Sequence, residues 1–221
     1  MATIETEQHI AAAVDALQAA DPRLVPLVAA TGPLPLRRRA DGFAGLVAII
    51  VAQQLSRASA DAIHARLVRE IGPPTHRALA SAPDATLRGV GLSRPKIATL
   101  RALAVAVADG SLDVTGLRDM ADAEVSDTLC RVRGIGPWTA EIYLLSCLGR
   151  ADVFPARDLA LQEAARIGLG LAGRPDPDAL LVEAEIWRPW RSVAAVLLWA
   201  YYRHVRGETG DAAREQGGAA A

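Results

Sequence analysis

LCRVRGIGPWTAEIYLL, residues Leu129–Leu145, joins two apolar-periodic segments through four residues, Arg133-Gly134-Ile135-Gly136. The first segment ends at Val132. The second opens with Pro137, which suits a first helical position because the N–H it lacks has no partner there in any case. Glycine on either side of Ile135 lets the turn take positive φ and lets another backbone come close, while Ile135 can plug the gap between the helices. The first N–H groups of a helix have no intrahelical acceptor, which makes such a turn a ready anion site. Two readings stand at this point: a helix–turn–helix whose tip holds a phosphate, and a tight turn that only packs two helices together.

Outward from this stretch, 221 residues allow one large domain or two small ones with a sizeable core. Hydrophobic residues make up 51% and charged residues 22%, a globular balance. The two cysteines, Cys130 and Cys147, form no CxxC pair, so cysteine can build neither a zinc site nor an iron–sulfur cluster, and reduced thiols are expected. His9, His64, His76 and His204 are scattered and offer no metal spacing. MATIETEQHI is acidic and polar, unlike a secretory signal, and the longest apolar runs fall short of a membrane span. The formal net charge of −1 gives no general attraction to nucleic acid, though a local basic face remains open. Lys96 is the only lysine; all other side-chain cations of the Lys/Arg type are arginines, which suit bidentate phosphate contacts.

Periodicity and punctuation predict an all-α chain of ten to twelve helices. An amphipathic helix is expected over 4–19. Asp21-Pro22 starts a second, and a loop with Arg37–Arg39 follows. Phe43 to about Gln53 is apolar all round and reads as the central buried helix. Gln53-Gln54-Leu55-Ser56 interrupts it, and Ser56 or Ser59 caps the next, to about Ile71. Short helices are expected near 75–81 and after Pro83. Leu87-Arg88-Gly89-Val90-Gly91-Leu92 is a glycine turn in miniature, after which Ser93 starts a helix to Val107. Asp122 begins the helix that enters the opening stretch. Further helices are expected over 137–148, 158–167, 178–187 and 190–206, and Gly207–Ala221 as a disordered tail. Eight of the nine aromatics lie at or after Trp138. Several could line a flat pocket for a base, although large aromatics such as Trp187 and Tyr201 also read as core.

GIGPWTAEIYLL followed by DVFPARD resembles the helix–hairpin–helix DNA glycosylases, and within them the 3-methyladenine DNA glycosylase II group of alkylpurine glycosylases. Asp158 stands twenty residues beyond Trp138, as the family pattern asks. AQQLS upstream and WRPWRSVAAVLLWAYY downstream also resemble it, so the likeness runs from about Phe43 to Tyr202. The resemblance implies two helical subdomains, about 41–135 and about 1–40 plus 136–206, with the active-site cleft between them; some members add an N-terminal β domain, and with only the first 40 residues or so ahead of the core this chain is expected to lack it. It implies a monomeric, cytoplasmic bacterial repair enzyme whose partner is double-stranded DNA carrying damaged bases.

A base inside a duplex is out of reach until it is flipped out, and Gln54-Leu55 resembles the wedge that fills the vacated space. Asp158 matches the family's catalytic aspartate, placed to stabilise an oxocarbenium-like sugar. Glycosylases of this superfamily with lyase activity carry a lysine two residues past the second hairpin glycine, where its amine attacks the sugar. Trp138 holds that place here, so a monofunctional hydrolase leaving an abasic site is expected. Trp138 and Trp199 match aromatic pocket positions. Where some members stack a tyrosine, this chain has Ile142 with Tyr143 beside it, so the lesion range is open. Gly134, Ile135 and Gly136, with Arg131 and Arg133, are expected at the DNA backbone, and Arg188 and Arg191 are further phosphate candidates. The resemblance also implies a structural Na+ or K+ on the backbone carbonyls of Cys130, Val132 and Gly134, with no required cofactor and no iron–sulfur cluster. Two alternatives remain: the same fold acting on a deaminated or oxidised base, and a non-catalytic DNA-binding module, which would gain nothing from Asp158.

Overall fold

Short polar side chains set five of the helix starts among the described residues. The computed structural model describes residues 2–207. Helix α1 (Glu7–Ala20) opens where the Thr6 hydroxyl accepts the His9 N–H. A 3-10 turn, Pro22–Leu24, leads into α2 (Val25–Thr31). Next come α3 (Gly42–Ala52), α4 (Arg57–Ile71) capped by Ser56, α5 (His76–Ser81) capped by Thr75, and α6 (Asp84–Gly89). Then follow α7 (Arg94–Ala108), α8 (Asp122–Cys130) and α9 (Pro137–Tyr143), which continues as a π-helical segment, Leu144–Leu148. Asp158 caps α10 (Leu159–Gly168), Asp176 caps α11 (Pro177–Ala184), and α12 (Arg191–Val205) closes the series. Among the described residues the fold is all-α, as expected, with one isolated antiparallel bridge between Thr3 and Arg150. No helix among them is long and apolar enough to cross a membrane. The expected tail over 207–221 lies, Gly207 apart, outside the described residues.

The helices form two compact units. One runs from Arg38 to Gly149. Its centre is α3, whose Leu46, Val47, Ile49, Ile50 and Val51 are all buried against α4, α7 and α9. At Gly45 a side chain would run into the Ala40 carbonyl and sit 2.8 Å from Cys147 Sγ, so glycine is what lets those backbones meet. The other unit combines the described residues up to Arg37 with those from Arg150 on. There α12 is central, packed on α10, α2 and α1. Trp187 is fully buried beside Phe154, and its Nε1–H donates to Asp21 Oδ2 at 3.0 Å.

The expected subdomain boundary after residue 135 is displaced to Gly149. Helix α9 and its π-helical continuation belong with α3 because polar bonds hold them there. The Gly42 N–H donates to the Tyr143 hydroxyl (3.0 Å), Gln53 Nε2 to Thr139 Oγ1 (2.9 Å), the Arg39 N–H to the Ser146 carbonyl (2.8 Å) and Arg38 to the Cys147 carbonyl (2.7 Å). The first boundary falls between Arg37 and Arg38.

Candidate functional site

Between α8 and α9 the chain turns within a few residues. The Val132 N–H donates to the Leu129 carbonyl and the Ile135 N–H to the Val132 carbonyl, both at 3.0 Å. Gly134 takes φ +89, and a side chain there would overlap the Thr99 hydroxyl on α7. Glycine is therefore required twice over, for its conformation and for its closeness. Ile135 is buried between the helices, so only its backbone can face a ligand. Gly136 precedes α9 in extended conformation and gives that helix no side-chain cap. Arg131 and Arg133 are exposed on the same turn.

The turn between α3 and α4, residues 53–56, has unusual exposure. Gln54 is exposed and is the sole non-glycine at positive φ (56°) among the described residues. A long polar side chain in that region is uncommon and strained, a condition that concentrates at functional sites. Leu55 beside it is 39% exposed, so it is not a core residue closing the end of the helix.

In the other unit, Asp158 is half-buried at the start of α10. Its Oδ1 accepts the N–H groups of Ala160 (2.8 Å) and Leu161 (3.2 Å). The Gln162 side chain donates to the Ala156 carbonyl at 2.9 Å and steadies the approach to this cap. The carboxylate is thereby oriented by backbone donors and the positive end of the helix. Trp199, half-buried, lies on α12 of the same unit.

Trp138 and Ile142, four residues apart on α9, share one helical face and are both half-buried. Tyr143 does not join them, contrary to expectation. It lies with Thr139 and Ala140 on the buried face of α9, has no exposed surface, and its hydroxyl is taken up by Gly42. Burial pushes its phenol up to about 12. Arg191 is likewise corrected as a phosphate candidate. It is 12% exposed, and its Nε donates to Asp152 Oδ1 at 2.7 Å and its Nη2 to the Asp152 carbonyl at 3.0 Å. Arg188 pairs with Asp152 (2.6 Å) and Glu185 (2.8 Å). Four groups were missed by sequence reasoning: Asp152, Thr139, Thr99 and the contact made by Lys96, whose Nζ donates to the Val51 carbonyl at 2.7 Å. Among the described residues no three His, Cys, Asp or Glu side chains are grouped to hold a metal.

Residues 47–192 match the family model described as HhH-GPD superfamily base excision DNA repair protein. DNA-3-methyladenine glycosylase 1 of Schizosaccharomyces pombe is 30% identical over 181 residues, 80% of this chain and 79% of that protein. The structure of the S. pombe 3-methyladenine DNA glycosylase in complex with abasic DNA superposes with a TM-score of 0.79 at 29% identity, covering 85% of this chain and 95% of that one. A DNA-3-methyladenine glycosidase from Bacillus halodurans gives 0.74 at 32% identity, covering 89% and 91%. The chain spans about half the length of other curated relatives, 55% of one and 40% of another.

Proposed function

The chain belongs to the HhH-GPD superfamily of base excision DNA repair proteins, and from that premise we propose that it is a monofunctional DNA glycosylase for alkylated purines of the 3-methyladenine type. It binds double-stranded DNA, flips out the damaged base and hydrolyses the N-glycosidic bond, leaving an abasic site. The observation that carries this reading is Asp158, half-buried, with one carboxylate oxygen fixed by two backbone N–H groups.

The chemistry follows from the leaving group. An alkylated purine already carries positive charge, so it departs with the bonding electron pair as a neutral base and needs no proton from the protein. The sugar is left as an oxocarbenium-like cation, and water then adds at C1′ and loses a proton. What the protein supplies is a preorganised negative charge beside the developing cation, the kind of electrostatic stabilisation that dominates many enzymes. Asp158 provides it, with its orientation set by the α10 cap rather than by a flexible side chain. Trp138 stands where a Schiff-base lysine would be, so no amine attacks the sugar.

Trp138 and Ile142, on one face of α9, are assigned to the base pocket, Trp199 on α12 of the other unit is a separate candidate for contact with the flipped base, and Tyr143 lies on the buried face of α9. Gln54 and Leu55 are the wedge, supported by their exposure and by the positive φ of Gln54. Gly134, Ile135 and Gly136 meet the DNA backbone through main-chain groups, with Arg131 and Arg133 beside them. The carbonyls of Cys130, Val132 and Gly134 are neutral oxygen donors, which suit a monovalent ion better than a divalent one, whose sites usually include carboxylates. The Val132 carbonyl accepts the Ile135 N–H and keeps its second lone pair. A cation held there would add positive charge near a phosphate.

Duplex oligonucleotides with single alkylated, deaminated or oxidised bases test the reading. The wild type is expected to release the alkylated base and to form no covalent adduct with borohydride. Asp158→Asn is expected to slow release at least about a hundredfold, as removal of a single electrostatic stabiliser does elsewhere. Release of no alkylated base, or full activity in Asp158→Asn, overturns it.

A further inference from the structure

We infer that Lys96, the only lysine in the chain, is a positioning residue for the Gln54–Leu55 wedge, acting from α7 on the end of α3; the inference rests on the glycosylase reading above.

The wedge turn begins where α3 runs out of hydrogen-bond donors. The last carbonyls of a helix have no intrahelical partner, and a cation placed there is favoured by the helix dipole. Lys96 Nζ meets this need by donating to the Val51 carbonyl at 2.7 Å. The side chain is half-buried along the way, and that burial holds the ammonium's pKa below the ordinary lysine value. Three residues later the backbone reaches Gln54 in its strained conformation and four later the exposed Leu55. A turn with a residue at positive φ holds only if its surroundings over-determine it.

The bracing continues on both sides. One turn along α7 from Lys96, Thr99 sits against Gly134, with room for a hydrogen and nothing larger. Residues at i and i+3 lie on one helical face, so a single face of α7 touches both the end of α3 and the hairpin glycine. From the wedge turn itself, Gln53 Nε2 donates to Thr139 Oγ1 on α9 at 2.9 Å, and Thr139 is buried. Lys96, Thr99, Thr139 and Gln53 thus fix the wedge turn against the hairpin, so that gripping the DNA backbone and entering the base stack occur in one register. Lys96 touches neither the base nor the reacting bond in this scheme. Its effect passes through Leu55.

A double-mutant cycle in the full chain, Lys96→Met with Leu55→Ala, tests this. Single-turnover release of an alkylated base is one readout. The fluorescence of 2-aminopurine placed beside an abasic site, which rises when stacking is disrupted, is the other and needs no excision. Lys96→Met is expected to slow release about tenfold, the fold-change of a lost charge-assisted hydrogen bond, and to lower the fluorescence rise on binding. Added to Leu55→Ala it is expected to cost nothing further, because residues acting as one unit are not additive. Independent, multiplying losses, or a fluorescence rise equal to that of the wild type, overturn the inference. If Lys96→Met lowers the thermal midpoint so far that it is not folded at assay temperature, Gln53→Met enters the same cycle from the other side of the turn, with the same expected and overturning results. Failure of the glycosylase reading is seen separately, as a wild type that releases no base while the fluorescence still reports on the wedge.

Discussion

In the unit formed by the chain's two ends, the central buried polar contact is ionic. Asp21, 3% exposed, accepts the Trp187 Nε1–H and a two-pronged contact from Arg23 Nε and Nη2, each at 2.9 Å. In the unit from Arg38 to Gly149 the corresponding contacts end on neutral groups: the Gly42 N–H on the Tyr143 hydroxyl, Gln53 on Thr139, Lys96 on the Val51 carbonyl. A buried charge is tolerable when paired and hydrogen-bonded, and the first unit uses one to lock two segments far apart in sequence. The second places its polar bonds around turns that carry the hairpin and the wedge. The first arrangement serves cohesion and the second serves geometry.

Substitution at the hairpin is expected to have the largest effect. Gly134→Ala must accept a positive φ and a clash with Thr99, and together these are expected to cost about 3 kcal/mol in urea unfolding. Thr99→Ala should recover only part of this, because the backbone strain remains. Asp21→Ala is expected next, at about 2 kcal/mol, since it strands the buried Trp187 N–H. Tyr143→Phe should cost about 1 kcal/mol, the worth of one hydrogen bond.

Titration separates the units by sign. Burial works against the Asp21 carboxylate, but the hydrogen bonds from Arg23 and Trp187 outweigh it and hold its pKa below the ordinary value. A lowered carboxyl stabilises the fold above its unfolded value, about 3.9, and the contribution is lost as pH falls through the folded value. Tyr143 is the reverse. Its phenol is raised from 10.0 to about 12, so its contribution is complete below about pH 10 and is lost as pH rises toward 12. Amide exchange followed against pH should show acid loosening α12 and its neighbours through Asp21, and alkali loosening α3 and α9. The alkaline effect should shrink in Tyr143→Phe.

What the sequence made legible was local. Thr6, Ser56, Thr75 and Asp158 start helices because a capping oxygen and the N–H that donates to it lie within three residues, and the glycine–isoleucine–glycine turn is written in consecutive letters. The i, i+4 relation of Trp138 and Ile142 was equally readable and would have kept Tyr143 out of the pocket, one residue further round the helix. Asp176-Pro177 carries the same start signal as Asp21-Pro22, and α11 begins there rather than at Asp178. What stayed hidden spans distance. Nothing near Asp21 announces Trp187, nothing near Lys96 announces Val51, and nothing near Arg191 announces Asp152, 39 residues earlier in the chain. The boundary at Gly149 was hidden for the same reason, since bonds from residues 38–53 to 139–147 decide it.

The insertion of one unit within the other has a consequence during synthesis. Of the described helices, α1 and α2 leave the ribosome before the others, yet α12, against which they pack, leaves after all of them. At ordinary translation rates they wait on the order of ten seconds, their apolar faces without a partner. The intervening residues 38–149 by then hold all the elements of their own unit. Birth order therefore favours completing the hairpin and wedge before the stretch that brings Asp158 has found its place.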